Sequence, residues 1–354
     1  MSEQILLKGN EAVAEAAIMA GCRYFFGYPI TPQSEILEQL ARRLPEVGGA
    51  YVQAESEVSA INMVFGAAAA GARVMTASSS PGISLMQEGI SYIASAQLPV
   101  VIVNIMRGAP GLGGIHPSQA DYFQSVKGGG HGDYRLIVLA PSSVQELIDH
   151  TILAFELAET YRTPVVVFGD AMMGQMMEPV TMPETELPPP NRPWATTGME
   201  GRGPNIVYTL YLPPDKLEAH CNRLFAKYRE IEAKEKRSVK YLTEDAEILV
   251  VAYGIMSRVA KAAVEMAREE GIKAGLFRPI TLWPFPDTDL EEAAARARVV
   301  IAAEISMGQM IEDVRLALGK RVPVYLFNRI GRVPNPDEIY EDIKAKAQGV
   351  MING

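Results

Sequence analysis

Residues 99–106 read PVVIVNIM, an almost unbroken apolar run of strand length. A strand of this composition is typical of the centre of a parallel sheet, where helices cover both faces. Shorter apolar runs at 136–139 and 164–168 lie on either side of a helical pattern at 144–158. Because strand, helix and strand follow one another, this region predicts βαβ units and an α/β fold.

The same alternation continues upstream of this run. Strand patterns occur at 24–28, 50–53 and 73–78, and helical patterns occur at 33–44, 56–71 and 82–94. Residues 1–181 are therefore predicted to form one doubly wound α/β domain.

The character of the sequence changes after residue 181. Residues 182–245 contain PPPNRP at 188–193, a second break at 212–214 and a charged helical pattern at 217–237. The prolines at 188–193 exclude regular structure in that run. We interpret the segment as a linker that crosses the surface, and the alternative is an arm that binds a partner.

A smaller α/β unit is predicted over 246–354. Its strand patterns lie at 248–254, 274–277, 299–304 and 322–327, with helical patterns at 257–270, 289–296 and 309–318. The four strands have the spacing of a small parallel sheet. The tail from residue 337 to residue 354 is predicted to be a helix with a frayed end.

Composition limits the possible functions. The 354 residues, 48% of them hydrophobic, can bury the cores of about two domains. The net charge of −9, from 33 basic and 42 acidic residues, argues against a nucleic-acid-binding surface. The N-terminus lacks the features of a signal peptide, and no apolar run is long enough to span a membrane. We expect a soluble protein of the cytoplasm.

Several common sites are not supported by the sequence. Cys22 and Cys221 are too few to ligate an iron–sulfur cluster or a structural zinc ion. No pair among the four histidines has the spacing of metal ligands, so a metal site built on histidine is not expected. The P-loop pattern is missing, and so is a GxGxxG turn followed by an acid at the required distance.

The candidate functional residues lie at three strand-to-helix junctions, where open α/β sheets bind ligands. In GYPITP (27–32), Thr31 either offers a hydroxyl to a ligand or caps the next helix. Glu57 either serves a site or is an acid stabilised by the helix dipole, an effect worth under ~1 kcal/mol. The turn ASSSPG (77–82) can bind a polar ligand edge through its hydroxyl and N–H groups, or it only caps its helix.

The helix that follows Glu57 is almost bare. It ends in four alanines at 67–70 and Gly71, so another backbone or a flat ligand can approach it closely. Glu55 has the position of an ordinary surface acid, whereas the residues after Glu57 are small and apolar. Glu57 is therefore predicted to be a single buried carboxylate.

Residues 107–133 are the longest stretch without a secondary-structure pattern, and they contain eight glycines. Such a loop inside a compact domain is usually functional or disordered. Arg107 lies at its start, at the end of a strand, where a guanidinium can bind a carboxylate or phosphate. The alternative is an arginine that pins the loop through backbone carbonyls.

Together these segments resemble the α subunit of the 2-oxoacid:ferredoxin oxidoreductases, in the superfamily of pyruvate:ferredoxin oxidoreductase. The resemblance is carried by GYPITP (27–32), ESEVSAINMVFGAAAAGARV (55–74), TASSSPGISLMQEGISY (76–92), PVVIVNIMRG (99–108), FGDAMMGQMMEPV (168–180) and AAEISMGQM (302–310). It covers nearly the whole chain and is weakest in the linker. It is greatest with the branched-chain enzymes, which act on 3-methyl-2-oxobutanoate (2-oxoisovalerate), and next with the 2-oxoglutarate enzymes.

The resemblance implies that residues 1–181 bind the pyrimidine side of thiamine diphosphate and that 246–354 resemble the transketolase C-terminal domain. It implies that Glu57 activates the pyrimidine, that Thr31 lies near the substrate and that Arg107 faces the substrate carboxylate. The other cofactor-binding residues that it implies are Tyr28, Pro29, Ile30, Ser79 and Gly82.

The resemblance also implies a division of labour among subunits. Mg²⁺ and iron–sulfur clusters are expected on a diphosphate-binding β subunit, a γ subunit and a ferredoxin-like δ subunit, and the chain alone is expected to be inactive. The reaction would be oxidative decarboxylation of a 2-oxoacid to acyl-CoA and CO₂, with coenzyme A as co-substrate and ferredoxin as electron acceptor. Asp170, in Gly169-Asp170-Ala171, lacks the asparagine that completes the GDG motif of thiamine enzymes, and we interpret it as structural.

Three alternatives remain at this point. The chain can be the α subunit of a 2-oxoglutarate:ferredoxin oxidoreductase, a non-catalytic nucleotide-binding or scaffold subunit, or half of a transketolase-like enzyme that uses no ferredoxin.

Overall fold

The computed structural model of the chain describes residues 4–183 and 187–349. In chain order its elements are β1 (Gln4–Lys8), α1 (Gly9–Met19), β2 (Tyr24–Gly27), α2 (Ser34–Glu46), β3 (Ala50–Gln53), α3 (Glu57–Ala69), β4 (Val74–Ser78), α4 (Ser80–Ser95), β5 (Val100–Met106), α5 (Tyr122–Val126), β6 (Ile137–Leu139), α6 (Val144–Tyr161), β7 (Pro164–Asp170), α7 (Ala171–Gln175), β8 (Met177–Thr181), α8 (Pro214–Lys234), β9 (Ser238–Tyr241), β10 (Ile248–Val251), α9 (Gly254–Glu269), β11 (Ala274–Pro279), β12 (Thr281–Trp283), α10 (Asp287–Ala293), β13 (Val299–Glu304), α11 (Met310–Leu318), β14 (Val324–Asn328) and α12 (Pro336–Ala347).

The larger sheet has seven strands in the order β12-β6-β7-β5-β4-β2-β3. All its pairings are parallel except that of β12 with β6. The apolar run that follows Pro99 forms β5, which is buried along its whole length near the middle of the sheet. Helix α3 packs against β2 and β4, and its neighbour α4 packs against β5 and β7, whereas α1, α2 and α6 form a second group of helices. The predicted doubly wound α/β fold is confirmed.

The strand order reverses beside β2. The chain leaves β2 through α2 to reach β3 at the edge, then returns through α3 to β4 on the other side of β2. A crevice for ligands forms at the carboxyl ends of the strands at such a reversal. Glu57 begins α3, Tyr28 follows β2 and Ser79 follows β4, so all three residues lie at this point.

The smaller sheet has the order β14-β13-β10-β11-β9. Its first four strands are parallel, as the sequence indicated, and β9 adds an antiparallel edge. Two edge strands escaped the sequence analysis: β9 comes from the predicted linker, and β12 comes from the predicted second domain but completes the larger sheet. The domain borders at 181 and 246 stay predictions. Strand β12 lies in the second predicted domain by sequence but pairs with β6 in the sheet of the first.

Other short elements were also missed. The sequence analysis predicted no helix or strand before residue 24, where the structure has β1 and α1. Strand β1 pairs with β8 in a separate two-stranded sheet. The predicted tail helix is α12, and the end of the predicted frayed segment, residues 350–354, lies outside the described residues, as do 184–186 of the linker. Within the described ranges, no helix has both the length and the apolarity to cross a bilayer.

Asp170 joins the two α/β units. Its Oδ1 accepts hydrogen bonds from the backbone N–H groups of Met172 (2.8 Å) and Met173 (3.2 Å) at the start of α7. The backbone N–H of Ile255, at the start of α9 in the second unit, also donates to this carboxyl. Burial raises the pKa of Asp170 to about 6, although these donors lower it. These contacts agree with the structural interpretation of Asp170.

Two further polar contacts close the junction. Arg278 of β11 donates to both carboxylate oxygens of Glu146 on α6, at 2.6 and 2.8 Å. The Gln119 amide donates to the Tyr253 carbonyl at 3.0 Å and accepts from the Ile305 N–H at 2.9 Å. Buried polar groups that are hydrogen-bonded in this way fix the relative position of the units.

The linker follows the surface of the larger unit. Arg73 donates to the Pro188 carbonyl at 3.1 Å, and the Thr196 N–H donates to the Ala69 carbonyl at 2.9 Å. The chain then runs without helix or strand to α8.

Asp170→Asn should flatten the pH dependence of stability. Because the fold raises the pKa of Asp170 from 3.8 to about 6, the folded protein favours the protonated acid. The contribution of Asp170 to the free energy of unfolding is therefore complete below about pH 4 and is lost as the pH rises through about 6. The loss is on the order of 3 kcal/mol, since one pKa unit corresponds to ~1.4 kcal/mol. Asparagine keeps an acceptor oxygen but cannot ionise.

Urea denaturation at about pH 4.5 and about pH 7 measures this difference. Asp149→Asn is the matched control, because Asp149 is an exposed acid on α6. If Asp170→Asn and wild type lost the same free energy of unfolding between the two pH values, the assigned pKa would be wrong.

Candidate active site

Glu57 is buried at the start of α3. Ser56 caps the helix, because its Oγ accepts a hydrogen bond from the Ser59 N–H at 3.2 Å. Glu57 is the first helical residue and is 5% exposed, whereas Glu55 is exposed. The sequence predicted this difference between the two acids, and the capping serine explains why the helix begins at Glu57.

The Glu57 carboxylate lies directly against the first turn of α4. A Cβ added at Gly82 would lie 2.5 Å from Glu57 Oε1 and in collision with Ser78 Oγ. Only glycine leaves room for the acid at this position. The small residue at the start of α4 thus sets where the carboxylate can lie.

Two hydroxyls beside this acid have no partner. The Oγ atoms of Ser78 and Ser79 are buried, and within the described part of the chain neither makes a hydrogen bond. Ser79 occupies the cap position of α4, but its side chain makes no capping bond, so the alternative in which ASSSPG only caps its helix is not what the structure shows. Buried polar groups without partners are rare in native proteins, and next to a carboxylate they fit a bound polar ligand.

Thr31 is exposed, and it does not cap a helix. Helix α2 begins at Ser34, with Gln33 in the cap position, so the capping alternative for Thr31 was wrong. Tyr28 and Pro29 are exposed as well, and Ile30 is half-buried. The GYPITP turn therefore presents side chains outward at the carboxyl end of β2. That Tyr28, Pro29 and Ile30 of this turn bind a cofactor stays a prediction.

Arg107 makes the contacts of the loop-pinning alternative. Its guanidinium is buried and donates to the carbonyls of Thr31 (2.9 Å) and Leu112 (3.2 Å). The backbone N–H of Arg107 donates to Ser80 Oγ at 3.1 Å. The Nε atom of Arg107 is buried and has no partner among the described residues. Arg107 thus connects the GYPITP turn, the loop after β5 and the first turn of α4.

The loop at 107–133 is more ordered than the sequence indicated. It contains the short helix α5, and Asn104 at the end of β5 donates to Asp121 at 2.9 Å. Burial raises the pKa of Asp121, although the bonds from Ser80 and Asn104 lower it. Gln119, in the same loop, holds the second unit, so the loop serves both the site and the junction.

A cavity of about 520 Å³ opens beside Thr31. Ile115 and His116 from the loop after β5, and Ala171 and Met172 after β7, form part of its wall. The sequence analysis gave these four residues no role. The signal that could have found them is that Ala171 and Met172 directly follow β7 and that Ile115 and His116 lie in the loop after β5, at the same edge of the sheet.

The described residues offer no set of side chains that could ligate a metal ion. Across residues 4–183 and 187–349, no group of three or more His, Cys, Asp or Glu side chains is arranged to hold a metal ion. The two cysteines are free, with Cys22 buried and Cys221 half-buried.

Two families of known proteins match this sequence. The family described as "Pyruvate flavodoxin/ferredoxin oxidoreductase, thiamine diP-bdg" matches residues 15–235, well over half of the chain. "Pyruvate:ferredoxin oxidoreductase core domain II" matches residues 246–342. The chain belongs to the 2-oxoacid:ferredoxin oxidoreductase family.

Individual relatives narrow the position within the family. Ketoisovalerate oxidoreductase subunit VorB of Methanothermobacter marburgensis is 56% identical over 327 residues, which make up 92% of this chain and 93% of the relative. A solved 2-oxoglutarate:ferredoxin oxidoreductase from Magnetococcus marinus, with 2-oxoglutarate, coenzyme A and succinyl-CoA bound, matches with a TM-score of 0.88 and 27% identity. That match covers 98% of this chain but only 66% of the longer solved chain. A split-gene transketolase shares the fold, with a TM-score of 0.60, 16% identity and 97% of this chain covered.

Gly82→Ala should destabilise the chain by ~1–3 kcal/mol, since the added methyl group overlaps the buried side chains of Ser78 and Glu57, which must both move. Gly66→Ala is the matched control. Gly66 lies within α3 with nothing within 4 Å of an added Cβ, so this change should stabilise the helix by ~0.5–1 kcal/mol. Urea denaturation of the two variants gives the sign of each effect, and equal effects would rule out the close approach of Gly82 to Glu57.

Proposed function

We propose that this chain is the subunit of a 2-oxoacid:ferredoxin oxidoreductase that binds the pyrimidine side of thiamine diphosphate. The observation that carries the proposal is the buried Glu57 carboxylate at the reversal of strand order, pressed against Gly82 beside two unpartnered hydroxyls. The match of residues 15–235 to a thiamine diphosphate-binding family supports it.

The chemistry of this proposal needs one shielded acid. Thiamine diphosphate, when bound, supplies the weakly acidic carbon that attacks the oxo group of the substrate. Glu57 would hold the proton at pyrimidine N1′, which, through the conjugated ring, favours the imino form of the amino group on the opposite side of that ring. Because Glu57 is buried, little water competes for this hydrogen bond, and the bond is stronger than at the surface.

Glycine at position 82 and the hydroxyls of Ser78 and Ser79 fit the flat edge of the pyrimidine. The missing side chain at position 82 leaves room for the Glu57 carboxylate, which would face the ring from this position. The hydroxyls can donate to or accept from ring substituents, which would satisfy groups that lack partners in the isolated chain.

A branched-chain 2-oxoacid is the substrate that we propose. The 56% identity with the ketoisovalerate oxidoreductase subunit supports this choice. Ile115 and Met172 give the cavity beside Thr31 an apolar wall that suits an aliphatic side chain. 2-Oxoglutarate is the alternative, but its second carboxylate needs a cation, and the described residues that line this cavity include the acid Glu35 and neither lysine nor arginine.

The remaining parts of the reaction are assigned to partners. Two cysteines cannot ligate an iron–sulfur cluster, so the clusters, and Mg²⁺ with the diphosphate, are proposed on β, γ and δ subunits. Coenzyme A and ferredoxin are the proposed co-substrate and electron acceptor. A flavin spectrum of the purified chain would instead favour the nucleotide-binding scaffold. The cytoplasmic location stays a prediction.

Glu57→Gln in the assembled complex should lower turnover by ~100-fold or more, because an amide cannot hold the N1′ proton as a carboxylate does. The assay is viologen reduction that depends on a branched-chain 2-oxoacid and coenzyme A, with assembly checked by size-exclusion chromatography. Glu55→Gln, two residues away and exposed, should behave as wild type. Activity retained by Glu57→Gln in an intact complex would refute the role given to Glu57.

Arg107→Lys should raise KM for the 2-oxoacid by ~10-fold. The single ammonium group of lysine cannot replace the planar guanidinium group of Arg107, which donates to two carbonyls. The exposed Arg42→Lys is the control. Limited proteolysis of the loop after β5 should be measured in parallel. If the loop became easier to cleave while KM stayed constant, Arg107 would pin the loop and have no part in binding substrate.

A further inference from the structure

A segment of the linker exposes a row of apolar side chains. Residues 204–212, PNIVYTLYL, are here called the arm; they contain no charged residue and no helix or strand. Alternate side chains of the arm point outward: Ile206 is 74% exposed, Tyr208 52%, Leu210 68% and Leu212 79%. This period of two is that of an extended strand with one face in contact with its own protein.

The backbone of the arm is also unpaired. Among the described residues, no backbone hydrogen bond joins the arm to any other part of the chain. An extended segment with open N–H and C=O groups is a template for pairing with another chain. A contiguous row of exposed large apolar residues likewise marks a protein contact.

The arm is nevertheless held in place. The Asn205 amide donates to the carbonyls of Pro193 and Ala195 at 2.5 and 2.9 Å. Near the other end, the Tyr211 ring stacks on His220 with centroids 4.4 Å apart, and its hydroxyl lies 3.1 Å from the ring nitrogen Nδ1. Because these side chains fix the arm, a partner would bind it with a small loss of conformational entropy.

The position of the arm indicates its partner. The linker is bonded to the end of α3 through the Thr196 N–H and Ala69 carbonyl, and α3 carries Glu57 at its other end. Between them, α3 exposes Val58 and Met63. Thr209 of the arm lines a cavity with the second half of α4, which packs beside α3. Exposed apolar side chains therefore lie both on α3, which begins at the site, and on the arm.

We infer that the arm is bound by the subunit that supplies the diphosphate side of the cofactor, which pairs with its open backbone and covers its apolar row. This inference rests on the proposed function, because only a subunit that completes the site at Glu57 must approach the layer of α3 and α4. The partner surface that fits is apolar and presents an open strand edge.

The test uses the full chain and the separately purified partner subunits. The double variant Ile206→Glu/Leu210→Glu places two charges in the apolar row. Its matched control is Leu316→Glu/Ile330→Glu, which changes two residues of the second unit that are 79% and 54% exposed. Circular dichroism and the urea midpoint of each free chain show that the fold is retained.

The arm variant should bind the diphosphate-binding subunit at least ~10-fold more weakly than wild type, while the control binds normally. Equal dissociation constants for both variants would overturn the inference, and so would a loss confined to self-association of this chain. Saturating partner concentrations should restore viologen reduction in the arm variant. If even the wild-type complex oxidised no 2-oxoacid, the proposed function would fail, whereas the binding result would still decide the role of the arm.

Discussion

The close contact between α3 and α4 determines the position of the site. Gly82 and Gly89 of α4 face Glu57 and Ile61 of α3, and a Cβ added at Gly89 would lie 2.5 Å from Ile61 Cγ2. Side chains between the helices would move α3 outward and carry Glu57 away from the end of β4. The residues that allow this tight contact are thus the glycines of α4, and they leave the outer face of α3 for the proposed partner.

The local patterns of the sequence predicted most of the fold, and the non-local contacts could not be read from it. The apolar run of β5 and the serine cap before Glu57 act within a few residues, so their consequences were visible. The edge strands β9 and β12 are three or four residues long, and their partners lie far away along the chain. Arg107 is the clearest case at the site: its position after a strand was evident, but its bonds to two distant turns depend on how the loop closes.

Two buried hydroxyls of the proposed site, those of Ser78 and Ser79, have no partner among the described residues. Buried hydroxyls without partners cost roughly 1–3 kcal/mol each, and such a cost is recovered only when a ligand or a neighbouring chain supplies the missing groups. Assembly, cofactor binding and stability are therefore coupled in this family member, since whatever satisfies Ser78 and Ser79 also favours the folded chain. A chain of this design gains from being made together with its partners.

Strand β12 limits how the molecule can move. It belongs by sequence to the second unit, yet it pairs with β6 in the larger sheet, and the Ala140 N–H donates to the Ile280 carbonyl at 2.8 Å beside it. A hinge between the two units would have to break this ladder and withdraw a strand. Ligands therefore cannot enter by the opening and closing of two lobes of one chain. In the proposed complex, access to Glu57 would be controlled by the loops at the sheet edge and by the neighbouring subunit, so the timing of catalysis would depend on the assembly.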